Sequence, residues 1–168
     1  MIPNATQQTA TAQAAASNDR GVAMAASRRY DDALAHFDRA IALEPTLSAA
    51  HVNRALALLM TGRLHEALGS ADHAIATRAD SAEAWNLRGQ ILGSMHRTEE
   101  ALGCFERALA LRPGFAEAAA NAHDDLRYSS AADAIVRFAA ASAKPGRSAS
   151  ARSKQPSASS VRCIDPRI

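Results

Sequence analysis

The sequence predicts an all-α protein, an α-solenoid of stacked antiparallel helix hairpins. Three observations lead there. The first is composition: 48% of residues are hydrophobic but only 4% are aromatic, and alanine is abundant while valine is rare. Alanine is the strongest helix former, whereas strands favour β-branched and aromatic side chains. The second is an internal repeat. "YDDALAHFDRAIALEP" (30–45) aligns with "TEEALGCFERALALRP" (98–113), with the closing prolines 68 residues apart, twice 34. The third is a middle copy where that spacing requires one, "LHEALGSADHAIATRA" (64–79). A period of this length marks a repeat architecture in which each unit buries its apolar face on its neighbours.

Each copy reads as two helices, A then B. The A helices are expected at 14–27, 48–61 and 82–95, each followed by a short turn and a B helix. Gly62 sits in one of these turns as a left-handed C-cap. Thr98, Glu99 and Glu100 place acid at the start of the third B helix, where the helix dipole favours it. Pro45 and Pro113 end the first and third B helices, because proline cannot continue one. The repeats are expected at 14–47, 48–81 and 82–115. A degenerate capping hairpin is expected at 116–142, where Ala134, Phe138 and Ala141 echo the B-helix spacing. Residues 1–13 are expected to be a flexible N-terminus. Residues 143–168 are expected to be a disordered Ser/Ala/Arg-rich tail, with too few large apolar side chains to offset ordering entropy. The tail carries six basic residues against Asp165 alone, a net +5, which leaves −3 for the rest of a chain whose total is +2.

These residues resemble the tetratricopeptide repeat family, whose pattern is W-x2-L-G-x2-Y, then A-x3-F-x2-A, then P. In the third copy Trp85, Gly89, Leu92, Ala101, Phe105, Ala108 and Pro113 stand at the family spacings, and only the Leu slot departs, at Arg88. In the first copy Gly21, Met24, Ala33, Phe37, Ala40 and Pro45 match. The second copy keeps Ala55, Leu58, Ala67 and Ala74, with His51 at the Trp slot, Ala71 at the Phe slot and Ala79 at the Pro slot. Small residues at the Gly and Ala slots let helix axes approach closely. Phe37 and Phe105 are expected to fill the space between consecutive hairpins, and Trp85 to be a knob between them. Ala71 removes contact area, which makes the middle repeat the softest. Arg and Ala usage points to a bacterial source.

No catalytic constellation is present. His36, His65, His73 and His96 fall on B helices or A–B turns, and His51 and His123 on A helices at packing slots. None forms a metal-ligand spacing such as H-E-x-x-H. There is no phosphate-binding glycine loop and no nucleophile elbow. Cys104 and Cys163 are too far apart in sequence for a C-x-x-C motif, and Cys104 reads as a small half-buried hydrophobe. The acid pairs Asp31–Asp32 and Glu99–Glu100 are explained by helix starts. No apolar run approaches the ~20 residues of a membrane span. The N-terminus lacks the features of a secretory signal. The tail has no aromatics for base stacking. The chain is therefore read as non-enzymatic, with no metal, no cofactor and no nucleic-acid partner, and as cytoplasmic.

What the family resemblance implies is an adaptor or scaffold holding a protein or peptide segment in a concave groove lined by the A helices. The groove positions it implies are Asn18, Val22, Val52, Asn53, Leu56, Asn86, Gln90 and Asn121, with Asp19, Ala25, Leu59, Glu83, Leu87, Gly93, Ala120 and Asp124 beside them. Asparagine both donates and accepts, so it can grip a peptide backbone. A clamp for the terminal carboxylate of chaperone tails is not implied. Of its residues only Asn53 fits, while Val22, Glu83 and Leu87 occupy positions where others would stand. Two further readings are a substrate-binding arm of a split or truncated enzyme similar to bacterial O-linked N-acetylglucosaminyl transferases, and a type III secretion chaperone. Homo-oligomerisation is compatible with all three.

Overall fold

The computed structural model describes residues 5–125. Seven helices follow one another: α1 (Ala5–Ala26), α2 (Tyr30–Leu43), α3 (Ser48–Met60), α4 (Leu64–Thr77), α5 (Ala82–Ser94), α6 (Thr98–Leu111) and α7 (Ala116–Asp125). Among the described residues there is no strand. Pairs α1–α2, α3–α4 and α5–α6 are the three expected hairpins, and α7 is the following A helix. The second half of the expected capping hairpin and the tail lie outside the described residues. The first A helix differs from expectation. It begins at Ala5 rather than near residue 14, because "ATQQTATAQ" contains no glycine, proline or other helix breaker and is rich in alanine.

Each helix packs on the next in sequence, and A helices also touch across the hairpins: α1 on α3, α3 on α5, α5 on α7. Successive B helices make no such contact among the described residues. The array is therefore curved, with α1, α3, α5 and α7 on its tighter, concave side.

The turns repeat at the same register. Arg28, Gly62 and His96 all adopt positive φ, at 59°, 74° and 59°. Around each, two bonds close a Schellman motif: Arg28 and Arg29 N–H donate to Ala25 and Met24 O, Gly62 and Arg63 to Leu59 and Leu58 O, His96 and Arg97 to Gly93 and Leu92 O. Only the middle copy uses glycine there. The B helices then start on Arg29, Arg63 and Arg97, none of which caps the helix through its side chain. Each guanidinium instead holds the acid three residues on, Asp32, Glu66 and Glu100, at 2.7 Å. These salt bridges are exposed and hold the carboxyls of Glu66 and Glu100 below their ordinary value. Pro45 and Pro113 each stand two residues beyond the last residue of α2 and α6.

The core is thin and alanine-rich. Ala33, Ala40, Ala55, Ala67, Ala71, Ala74, Ala101 and Ala108 are fully buried. Phe37 and Phe105 are the largest fully buried side chains. Their packing refines the sequence reading. Each ring lies first on the glycine of its own hairpin: a Cβ built on Gly89 would stand 2.5 Å from Phe105 Cε1, and one on Gly21 would likewise meet Phe37 Cε1. The rings also belong to the clusters joining the next A helix, Phe37 with Ala55 and Leu58, Phe105 with Ala118 and Ala122. In the middle repeat the same two slots hold Ala55 and Ala71. One extra methyl on the A helix accompanies the loss of the ring on the B helix.

Candidate functional site

Two side-chain systems repeat along the array and divide its surfaces. The first lies in the seam between hairpins. Arg54 on α3 donates through Nε to Asp38 on α2 at 2.7 Å and through NH1 to Ser70 on α4 at 2.6 Å. One repeat later, Arg88 donates to Asp72 at 2.7 Å and to Cys104 Sγ at 3.0 Å. Each arginine thus ties its own hairpin to the one before. Arg88, the departure from the family's Leu slot, is a seam bolt. Burial pushes the Cys104 thiol above its ordinary pKa, and Arg88 partly offsets this. The Trp slot also faces this seam: His51 Nε2 bonds Pro45 O at 2.9 Å, and Trp85 Nε1 donates to Ala79 O at 3.0 Å, six residues back in both cases. Trp85 is half-buried and packs against the third-repeat cluster.

A cleft of about 870 Å³ opens on this seam between α2, α3 and α4, lined by Asp38, His51, Arg54, Ser70, His73 and Thr77 among others. His51 and His73 face each other there at 5.6 Å. Arg54, Asp38, Ser70 and His51 are committed to the bonds above.

The second system lies between neighbouring A helices on the concave side. Asn53 Nδ2 donates to Asn18 Oδ1 at 2.9 Å, and Asn121 Nδ2 to Asn86 Oδ1 at 3.0 Å. Asn86 also donates to Glu117 Oε1 at 3.3 Å, as does Gln90 through Nε2. At the middle junction Val52 and Leu87 take the equivalent places and share one apolar cluster. The expected groove asparagines are thus brought together, but first as struts between helices. Asn86 is only 4% exposed, and Leu87 is buried as well. Leu59 is half-buried against the core. Asn18, Asn53 and Asn121 keep partial exposure.

What stays open is apolar. Val22, Leu56 and Met60, the exposed large hydrophobics among the described residues, all line one groove pocket of about 370 Å³. Ala25, Ala26, Tyr30, Phe37, Asn53 and Ala57 complete it. Val22 and Leu56 hold equivalent places on α1 and α3, one repeat apart, so the repeat itself sets them side by side. Met60, one turn beyond Leu56 on the same face, was not among the sequence-derived groove residues; its four-residue spacing from Leu56 was the available signal.

Farther along, the groove turns polar. Ser81 caps α5, accepting from Ala84 N–H at 3.2 Å. Glu83 pairs with Arg112, whose guanidinium also lies 4.3 Å from the Phe115 ring centre. The Glu83 carboxyl is held below its ordinary pKa by its own backbone N–H; partial burial opposes this, and Arg112 and Ser81 reinforce it. Among the described residues no group of three His, Cys, Asp or Glu side chains could hold a metal ion, and no helix is long and apolar enough to cross a membrane.

Comparison with known proteins agrees with this architecture. The tetratricopeptide repeat family matches over residues 82–115, and a second family model of the same description matches over 24–91. No curated protein matches. Among solved structures, the Arabidopsis OM64 TPR domain is similar, at 22% identity and TM-score 0.69, over 71% of this chain and 99% of that one. The second TPR of Spaghetti (RPAP3), solved bound to the HSP90 peptide SRMEEVD, is 28% identical with TM-score 0.61, over 63% of this chain and 97% of that one. MamA is similar at 20% identity and TM-score 0.68, over 77% of each chain. With the family matched from residue 24 to residue 115 and the helix hairpins repeating in that register, the chain belongs to the tetratricopeptide repeat family.

Proposed function

We propose that the chain is a non-enzymatic adaptor that holds a protein segment in its concave groove, with an apolar side chain of that segment seated among Val22, Leu56 and Met60. One observation carries this reading: the exposed large hydrophobics converge on a single concave pocket instead of scattering over the surface. A contiguous apolar patch on an otherwise polar surface marks an interaction site. The solved peptide complex of the Spaghetti domain supports the same use of the fold.

The groove differs from a clamp for acidic chain ends. Val22 and Leu87 bring no cation, and the charge of Glu83 is offset within the protein by Arg112. The peptide SRMEEVD is therefore not expected to bind through its terminal carboxylate.

The test compares two exposed sites. Val22→Glu puts a charge in the groove, and Thr77→Glu puts one in the seam cleft. Tagged protein is purified with its bound partners, which are identified by mass spectrometry. Partners retained by Thr77→Glu and lost by Val22→Glu support the groove. The reverse pattern moves the site to the seam.

A further inference from the structure

We infer that the groove selects segments in which an apolar residue is followed, about four residues away, by lysine or arginine. This rests on the groove reading above and adds a charge preference to it.

Charge is unevenly distributed along the A helices. The basic residues of α3 and α5 are Arg54 and Arg88, and both are tied into the seam by Asp38 and Asp72. Arg20 holds the same register on α1. Helix α7 carries Glu117 in its first turn and no lysine or arginine. Of the arginines at the turns into α5 and α7, Arg112 is paired with Glu83, and Arg78 donates to Ser81 at 3.3 Å. The concave face is therefore apolar between α1 and α3 and acidic toward α7.

Glu117 is the centre of that acidic end. Its Oε1 receives hydrogen bonds from Asn86 and Gln90, both at 3.3 Å. Amides fix the carboxylate in place but bring no positive charge, so a cation from a ligand has a positioned partner. Asp19, exposed on α1, adds no positive charge at the other end.

Geometry sets the spacing. Neighbouring helix axes stand roughly 8–10 Å apart, so Glu117, reaching α5 from α7, lies roughly 12–15 Å from the Leu56 row. An extended chain covers roughly 3.3 Å per residue, which makes about four residues. The occupant is thus a partner segment of mixed apolar and basic character.

The test uses the intact chain and two dye-labelled, acetylated and amidated octapeptides. Both carry leucine at the second position. One has arginine at the sixth and seventh positions, the other glutamate. Fluorescence anisotropy at low salt should show the arginine peptide binding at least about tenfold more tightly, with the gap shrinking as salt rises. Glu117→Gln keeps an acceptor for Asn86 and Gln90 but removes the charge, and should weaken the arginine peptide about threefold while binding of the glutamate peptide stays the same or tightens. Leu56→Asp should abolish binding of both. Equal affinities, or tighter binding of the glutamate peptide, overturn the charge preference while leaving the groove intact if Leu56→Asp still abolishes binding. Binding untouched by Leu56→Asp overturns the groove and this inference with it. Failure of both peptides to bind, together with a Leu56-dependent dimer in sedimentation, assigns the patch to a second copy and overturns the inference.

Discussion

Gly89→Ala is expected to destabilise the protein by about 2–3 kcal/mol, toward the upper end of what overpacking a core costs. Elsewhere in a helix the same exchange stabilises by roughly 1 kcal/mol, because glycine is the poorer helix former. Here the added Cβ would stand 2.5 Å from Phe105 Cε1, and other ring carbons follow at 2.8 Å. Phe105 is fully buried between α5, α6 and α7 and has nowhere to withdraw. Phe105→Ala alone should cost about 3–5 kcal/mol through lost burial and the cavity left behind. The double variant separates these effects. Once the ring is gone the clash is gone, so in the Phe105→Ala background Gly89→Ala should change sign and stabilise by up to about 1 kcal/mol. The middle repeat has already made this exchange with Ala55 and Ala71. Urea titrations of the four proteins, followed by circular dichroism, read the cycle. An additive cycle would place the glycine requirement somewhere other than under the ring.

Leu56→Asp should leave the fold intact and weaken groove binding by about a hundredfold or more, since docking an apolar side chain would then strip water from an unpaired carboxylate. Leu56 is 46% exposed, so its replacement takes little from the core. Leu58, two residues away, is 0% exposed and belongs to the cluster of Phe37 and Ala55. Leu58→Asp should therefore unfold the protein. The contrast between Leu56 and Leu58 on α3 is measured by comparing thermal melts with anisotropy titrations. Equal loss of stability in the two variants contradicts the division of α3 into a groove face and a core face.

Much of the fold could be read because the repeat writes the same physics three times. The slots of Gly21, Ala33, Phe37 and Ala40 recur one period later with changes of size that remain packable. What could not be read has specific causes. Positive φ is legible only where glycine marks it, at Gly62, whereas Arg28 and His96 adopt the same geometry without that mark. The seam arginines were spaced by one repeat in plain view. Arg88 stands where the family pattern has an apolar residue, so the pattern gives no sign that it partners Asp72. The asparagines pair between neighbouring A helices, and a shift of one hides that pairing in the sequence. Adjacent A helices contact with an offset of 35 residues, as in Asn18 with Asn53 and Asn86 with Asn121, not the 34 of the repeat. Aligning by 34 sets Asn18 against Val52 and conceals the hydrogen bond. Val22 and Leu56 are legible together because they lie one full repeat apart and both are exposed.

We propose that ligand sits on the concave side, between α1 and α3. Backbone amide chemical shifts, recorded as the arginine octapeptide is titrated into isotope-labelled protein, test it most directly. The largest changes are expected at Val22, Asn53, Leu56 and Met60, smaller ones around Gln90 and Glu117, and little change at Ile41, His73 and Thr77. Changes centred on His51, His73 and Thr77, with Val22 and Leu56 unmoved, would contradict it.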